Sequence, residues 1–183
     1  ENGTTWFDIT SRMLSELTDA QVDVDHAYID PESGLIEVGI KMNYAYDNDN
    51  TNINVHTVVL ENNLLAFQDN NYAHSNSTLL ADWCQGGKYG MNPAPYNFSH
   101  IARGMHGNIY AGVPGMFPRS IDSSKDYTST YAFKIPDALE KPENAEVVVM
   151  LIDANSGKII NAAKMACVTH TVGVEEIGPD GIF

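Results

Sequence analysis

The 183-residue sequence predicts an all-β fold, an antiparallel β-sandwich, jelly-roll-like, with a short N-terminal helix and long Gly/Asn/Tyr-rich loops. Three observations predict it. Apolar and polar residues alternate at period two in QVDVDHAYID and LIEVGIKMNYAY, the pattern of strands with one wet face. Turn-forming clusters, PESG, DNDNTN and ANSG, punctuate such runs at short intervals. A helical period is confined to one stretch near the start of the chain.

That stretch is WFDITSRMLSEL, where Phe7, Ile9, Met13, Leu14 and Leu17 form an apolar stripe. Thr4 or Thr5 can cap its first turn and Asp8 suits the positive end of the helix dipole, so a short amphipathic helix is expected over residues 4–17. The period then changes. Val22, Val24, His26 and Tyr28 are predicted to share one strand face opposite Asp23, Asp25 and Ala27, and Pro31 and Gly34 make PESG a turn. Ile36, Val38, Ile40, Met42, Tyr44 and Tyr46 share a face of the next strand, opposite Glu37, Lys41 and Asn43. DNDNTN reads as a loop, and INVHTVVLEN as the return strand of an antiparallel pair.

Residues 62–130 differ in kind. QGGKYGMNPAPYNF and GNIYAGVPGMFPRS argue for long loops, with HIARGM and STYAFKI as strands among them. EVVVMLID, ANSG and KIINAAKMACVTHTV then form a closing hairpin. The length suits one well-cored domain, so the expected organisation is a lead-in at 1–20, a sandwich at 21–172 and a tail at 173–183.

The formal charge is −14, and residues 1–102 hold fourteen acids against three bases. Nucleic-acid binding is excluded, because it needs a clustered basic face to neutralise phosphates. No apolar run is long enough to cross a membrane as a helix. The chain opens at Glu1 without an initiator Met or a signal-peptide core, which suggests a processed or excised product. Cys84 and Cys167 match neither a CxxC nor a zinc pattern, and either pairing or two buried thiols fits them.

Candidate chemistry gathers in NFSHIARGMHG, with His100, Arg103 and His106 in seven residues. A zinc site would need His74 as a third ligand, yet on an unbroken strand His100 and His106 lie about 20 Å apart, too far to share one ion. Phe98 leaves no further imidazole in the segment. DNDNTN starts like a calcium loop, but Asn52 and Val58 stand where its glycine and bidentate glutamate belong. No nucleophile elbow occurs, and Cys84 has no histidine beside it in sequence. Trp83, Tyr89, Tyr96 and Tyr110 could serve as stacking platforms for sugars or peptides, or could cover core beneath the loops. His100 and Arg103 are expected to anchor the glycine-rich loop beginning at Gly104 to a sheet edge.

A strand ending in Leu60-Glu61, then Gln68, then His100-x-x-Arg103 before a glycine-rich segment, and an apolar hairpin ending near Asn161-Ala162 occur in that order. In this order they resemble the C-terminal domain of the twenty-eight-kilodalton outer membrane protein family, bacterial surface lipoproteins of Gram-negative species, over roughly residues 20–170. Two departures stand out: Phe98 occupies the first position of the family's His-x-His-x-x-Arg, and there is no room for the upstream thioredoxin-like region that members tend to carry. The resemblance implies an exported, C-terminal module at the bacterial outer membrane, surface-exposed or periplasm-facing, with a binding or accessory role.

The expected function is therefore that of a non-catalytic cell-envelope module without cofactor or metal. It would bind a surface glycan, a peptide or an outer-membrane protein complex through loops 68–120, with Trp83, Tyr89, Tyr96, His100, Arg103 and Tyr110 as contacts. Two alternatives stand beside it: a zinc enzyme built on His74, His100 and His106, and a structural accessory subunit of an outer-membrane complex.

Overall fold

The computed structural model describes residues 5–15 and 18–170. The first helix, α1 (Trp6–Ser15), starts on a reciprocal cap. The Thr5 N–H and hydroxyl both donate to Asp8 Oδ2, at 3.0 and 2.6 Å, and the Asp8 N–H donates back to Thr5 Oγ1. Two of the orphan donors of a helix start are thereby satisfied. Phe7, the first residue of the expected stripe, is exposed, as is Trp6. The side chains of Ile9, Met13 and Leu14, residue Leu17 and the 173–183 tail lie outside the described residues.

Alternation pairs the next two runs. β1 (Ala20–Asp30) and β2 (Leu35–Tyr44) form an antiparallel hairpin across PESG, where Gly34 sits at φ 73° and its N–H donates to Asp30 O. Ile36, Val38, Ile40, Met42 and Tyr44 face inward as their spacing predicts, while Tyr46, beyond the strand end, is exposed. β1 departs from its predicted face halfway along. A bulge between Val24 and His26 leaves Asp25 out of the ladder, so Ala27 and Ile29 join Val22 and Val24 inside and His26 and Tyr28 turn outward.

β3 (Ile53–Glu61) was expected to pair back on β2, and it does not. The loop from Ala45 carries the chain to a second sheet, and β7 (Tyr127–Lys134) takes the free edge of β2 instead. β3 is a central strand, with β6 (Ile101–His106) on one side and β8 (Ala145–Asp153) on the other, and nearly all of it is buried. β9 (Lys158–Ala166) pairs antiparallel with β8 across the ANSG turn. The run then breaks at Cys167, and β10 (Val168–Thr169) crosses to pair with β1, in parallel.

The result is an all-β sandwich of two four-stranded sheets, in the orders β10-β1-β2-β7 and β6-β3-β8-β9. Valines and isoleucines of β1 and β2 pack against Val55, Val59, Val147, Val149 and Leu151, with Phe117 and Ile121 from the loop before β7 closing the layer. Burying each such side chain contributes about 1.5–3 kcal/mol. One interior hydrogen bond, between the Thr57 and Tyr131 hydroxyls, ties the sheets together. Cys84 and Cys167 are both buried and unpaired.

Candidate functional site

β3 and β6 are antiparallel neighbours, with Glu61 opposite Ile101, yet residues 62–100 separate them. A two-residue turn would suffice. The excursion forms an arm. Its stem is a separate two-stranded ribbon, β4 (Leu64–Gln68) with β5 (Ala94–Phe98), within the stretch expected to be loop. Residues 69–93 form its head.

Asn70 organises the head. Buried, it donates through Nδ2 to Trp83 O and Tyr89 O, both at 2.7 Å, and its Oδ1 accepts from the Tyr72 N–H. The Asn70 N–H donates in turn to Asn92 Oδ1. These bonds hold Trp83 and Tyr89 where their rings meet. Their centroids are 4.8 Å apart, and Tyr96 lies 5.3 Å from each, with Phe98 continuing the row 4.9 Å beyond Tyr96. Such separations suit tilted and edge-to-face aromatic contacts. Lys88 Nζ stands 4.9 Å over the Tyr89 ring, and its bond to Tyr89 raises its pKa. Trp83 also lines a hollow of about 250 Å³ with Tyr72 and Leu80. All four rings are half-buried, and none belongs to the sandwich core. Cys84, beneath them, points its thiol at Ser77 O, 3.6 Å away.

The ribbon has a second apolar face. Tyr96 and Phe98 look toward the ring cluster, whereas Leu65 and Phe67, one residue out of phase, are each 71% exposed.

At the base of the arm the two halves of the sequence resemblance meet. Glu61, with no solvent exposure, accepts Arg103 Nε at 2.8 Å, Glu140 N–H at 3.0 Å and Lys141 N–H at 2.9 Å. Arg103 reaches on to Glu140 Oε1 at 2.9 Å. Arg103 therefore fastens the 139–141 segment to the end of β3, and it sits at a bulge of β6. Gly104, beside it, packs so closely on Pro136 that a Cβ would lie 2.7 Å from that ring. His100 turns the chain into β6 with φ 58°, its N–H donating to Asn62 Oδ1. Its Nε2 is 3.9 Å from Glu146 Oε1, which Lys164 approaches to 3.1 Å.

Trp83, Tyr89 and Tyr96 are thus brought together, and His100 and Arg103 lie at the arm's base. Tyr110 is elsewhere: it is exposed in the loop after β6, beside Ala111, whose carbonyl accepts from Asn54 near the start of β3. The histidines of the zinc alternative stay apart. His74 is exposed in the arm, and His106 is stacked on Phe133 and Tyr131 at 4.7 and 5.5 Å. Among the described residues no group of three or more His, Cys, Asp or Glu side chains is placed to hold a metal ion. Asn70, Leu65 and Phe67 are additions to the residues expected from sequence, and Phe98 stands in the ring row rather than as a missing imidazole. Nothing in the sequence distinguishes Asn70 within DNN, and LLAFQ is too short for Leu65 and Phe67 to establish a face.

No protein-family model and no curated protein matches the chain. Solved structures do. The chain shares its fold with HBP35 of Porphyromonas gingivalis. The two are 11% identical with a TM-score of 0.55, over 93% of this chain and 48% of that one. This chain therefore spans about half the length of that protein. A domain of the outer membrane lipoprotein Omp28 from Porphyromonas gingivalis is also similar, at 15% identity and TM-score 0.41, over 85% of this chain and 93% of that one. A β-glucosidase from Kluyveromyces marxianus, 10% identical with a TM-score of 0.31, is matched over 86% of this chain and 16% of its own.

Proposed function

We propose that this chain is a binding module of an exported protein of the bacterial outer membrane, and that it engages its ligand or partner through the arm between β3 and β6. The single observation that carries the reading is the row Trp83, Tyr89, Tyr96 and Phe98 outside the sandwich core, the first two held by Asn70 and the last two carried on β5. Rings fixed by backbone bonds offer contact area at small entropic cost, which favours affinity. Exposed Leu65 and Phe67 on the opposite face of the ribbon favour a protein partner, the accessory-subunit form of the same role. The order Leu60-Glu61, Gln68 and His100-x-x-Arg103, which resembles that of the outer membrane protein family, supports the envelope setting.

Co-purification of the tagged chain from detergent-solubilised envelope membranes tests this, together with protease accessibility on intact cells. The wild-type chain retains a defined glycan or protein, and Trp83→Ala combined with Tyr96→Ala loses it while the sandwich melts at an unchanged temperature. If binding and melting temperature fall together, the rings are core and the reading fails.

A further inference from the structure

A second concavity lies at the opposite end of β3 from the arm. Eight residue steps from Glu61 to Ile53 place it roughly 27 Å away. It opens between the sheets where β2 ends, β3 begins and the β8–β9 turn passes, and encloses about 280 Å³. Its aromatic wall is Tyr44 with Tyr46, rings edge to face at 5.2 Å. Tyr44 is buried and Tyr46 exposed, so Tyr46 presents ring surface to the cleft. Around them stand Asp19, Asn50, Asn52, Asp153 and Asn155.

We propose that this cleft binds a neutral saccharide unit. The chemistry of the wall selects that class. Side-chain amides donate and accept at once, and carboxylates accept, which matches vicinal hydroxyls that do both. Asn52 Nδ2 donates to Asn155 Oδ1 at 2.9 Å, a bond that fixes two of these amides and leaves each with further hydrogen-bonding capacity. The Tyr46 face takes the apolar C–H face of a pyranose. The volume, at the lower end of small-molecule sites, suits one ring rather than an extended chain. Charge disfavours an acidic sugar, since the carboxylates of Asp19 and Asp153 outnumber the one lining cation, Lys158, in the cleft of a protein of net charge −14. Asp153 already accepts from the Asn155 N–H and the Ser156 hydroxyl, which leaves it poorly free for a hard cation. The inference is independent of the role given to the arm.

Saturation-transfer NMR with the methyl β-glycosides of glucose, galactose, mannose and N-acetylglucosamine tests it on the full chain. At least one shows transfer to its ring C–H protons. Tyr46→Ala and Asn50→Ala, both at exposed positions, each cut that transfer at least fivefold with the melting temperature unchanged, and Trp83→Ala leaves it intact. No transfer from any of the four sugars overturns the proposal, and so does transfer that persists in Tyr46→Ala.

Discussion

Glu61 is a carboxylate with no access to water, and it is stable there because every oxygen is used: Arg103 and the Glu140 N–H meet Oε2, and the Lys141 N–H meets Oε1. Removing the cation leaves a buried charge with two backbone donors. Arg103→Met is therefore expected to lower the unfolding free energy by about 3–5 kcal/mol, measured by urea denaturation; a loss below 1 kcal/mol would show that the backbone donors suffice. Two histidines act in the other direction. Burial lowers the pKa of His56 and of His106, the latter further by His56 itself. The unfolded chain then binds more protons than the folded one once pH drops below the ordinary imidazole value, about 6.5. Their contribution to stability is complete above that value and is lost as pH falls toward the lowered folded values. The melting temperature should fall between pH 7.5 and 5.5, and His106→Phe, which keeps the stack on Phe133 and Tyr131, should flatten that slope.

Among the elements, the bulge in β1 carries a consequence for its neighbour. By turning His26 outward it lays the imidazole over Gly39 of β2, where an added Cβ would lie 2.2 Å from the ring. Gly39→Ala should destabilise by about 1–3 kcal/mol, and His26→Ala in the same chain should recover most of that, a coupling that a double-mutant cycle reads directly. Nothing in QVDVDHAYID announces the bulge, because Ala27 reads equally well on either face. β2 was legible for the opposite reason: six alternating apolar residues leave only one register with a dry face. β3 was legible as a strand but not in its partner, since a run buried on both faces carries no phase and the preceding loop permits either pairing or a crossing between sheets. The arm's ribbon stayed hidden because APYNF opens on a residue pair that reads as loop and LLAFQ is too short to show a period. At the site, residue type was informative and location was not. Trp83, Tyr89 and Tyr96 stood out as aromatics among glycines, and so did Tyr110, yet only the fold separates it from the other three.

For the molecule as a whole, the decisive relation is that sandwich and arm hold separate apolar clusters. The sandwich core runs from β1 to Cys167 and includes no residue between Val59 and Phe117, while Ala73, Cys84 and Ala94 are buried within the arm. The strands on either side of the arm are already in register, Glu61 with Ile101 and Leu60 with Ala102. Closing them directly therefore moves no core residue. Replacing residues 62–100 by Asn-Gly, whose type I′ turn matches the twist of an antiparallel pair, should give a chain that still folds cooperatively. It loses the bonds of Asn62 and His100 to the Glu146 neighbourhood, and keeps the Glu61–Arg103 pair. The shortened chain should retain a far-ultraviolet β spectrum and a single melting transition within a few degrees of the parent. It should lose whatever the arm retains from membranes, and bind saccharide at the far end of β3 as before. Each readout addresses a different part of the molecule: a failed fold would mean that the arm completes the core, and a lost saccharide signal would mean that the two ends of β3 are coupled.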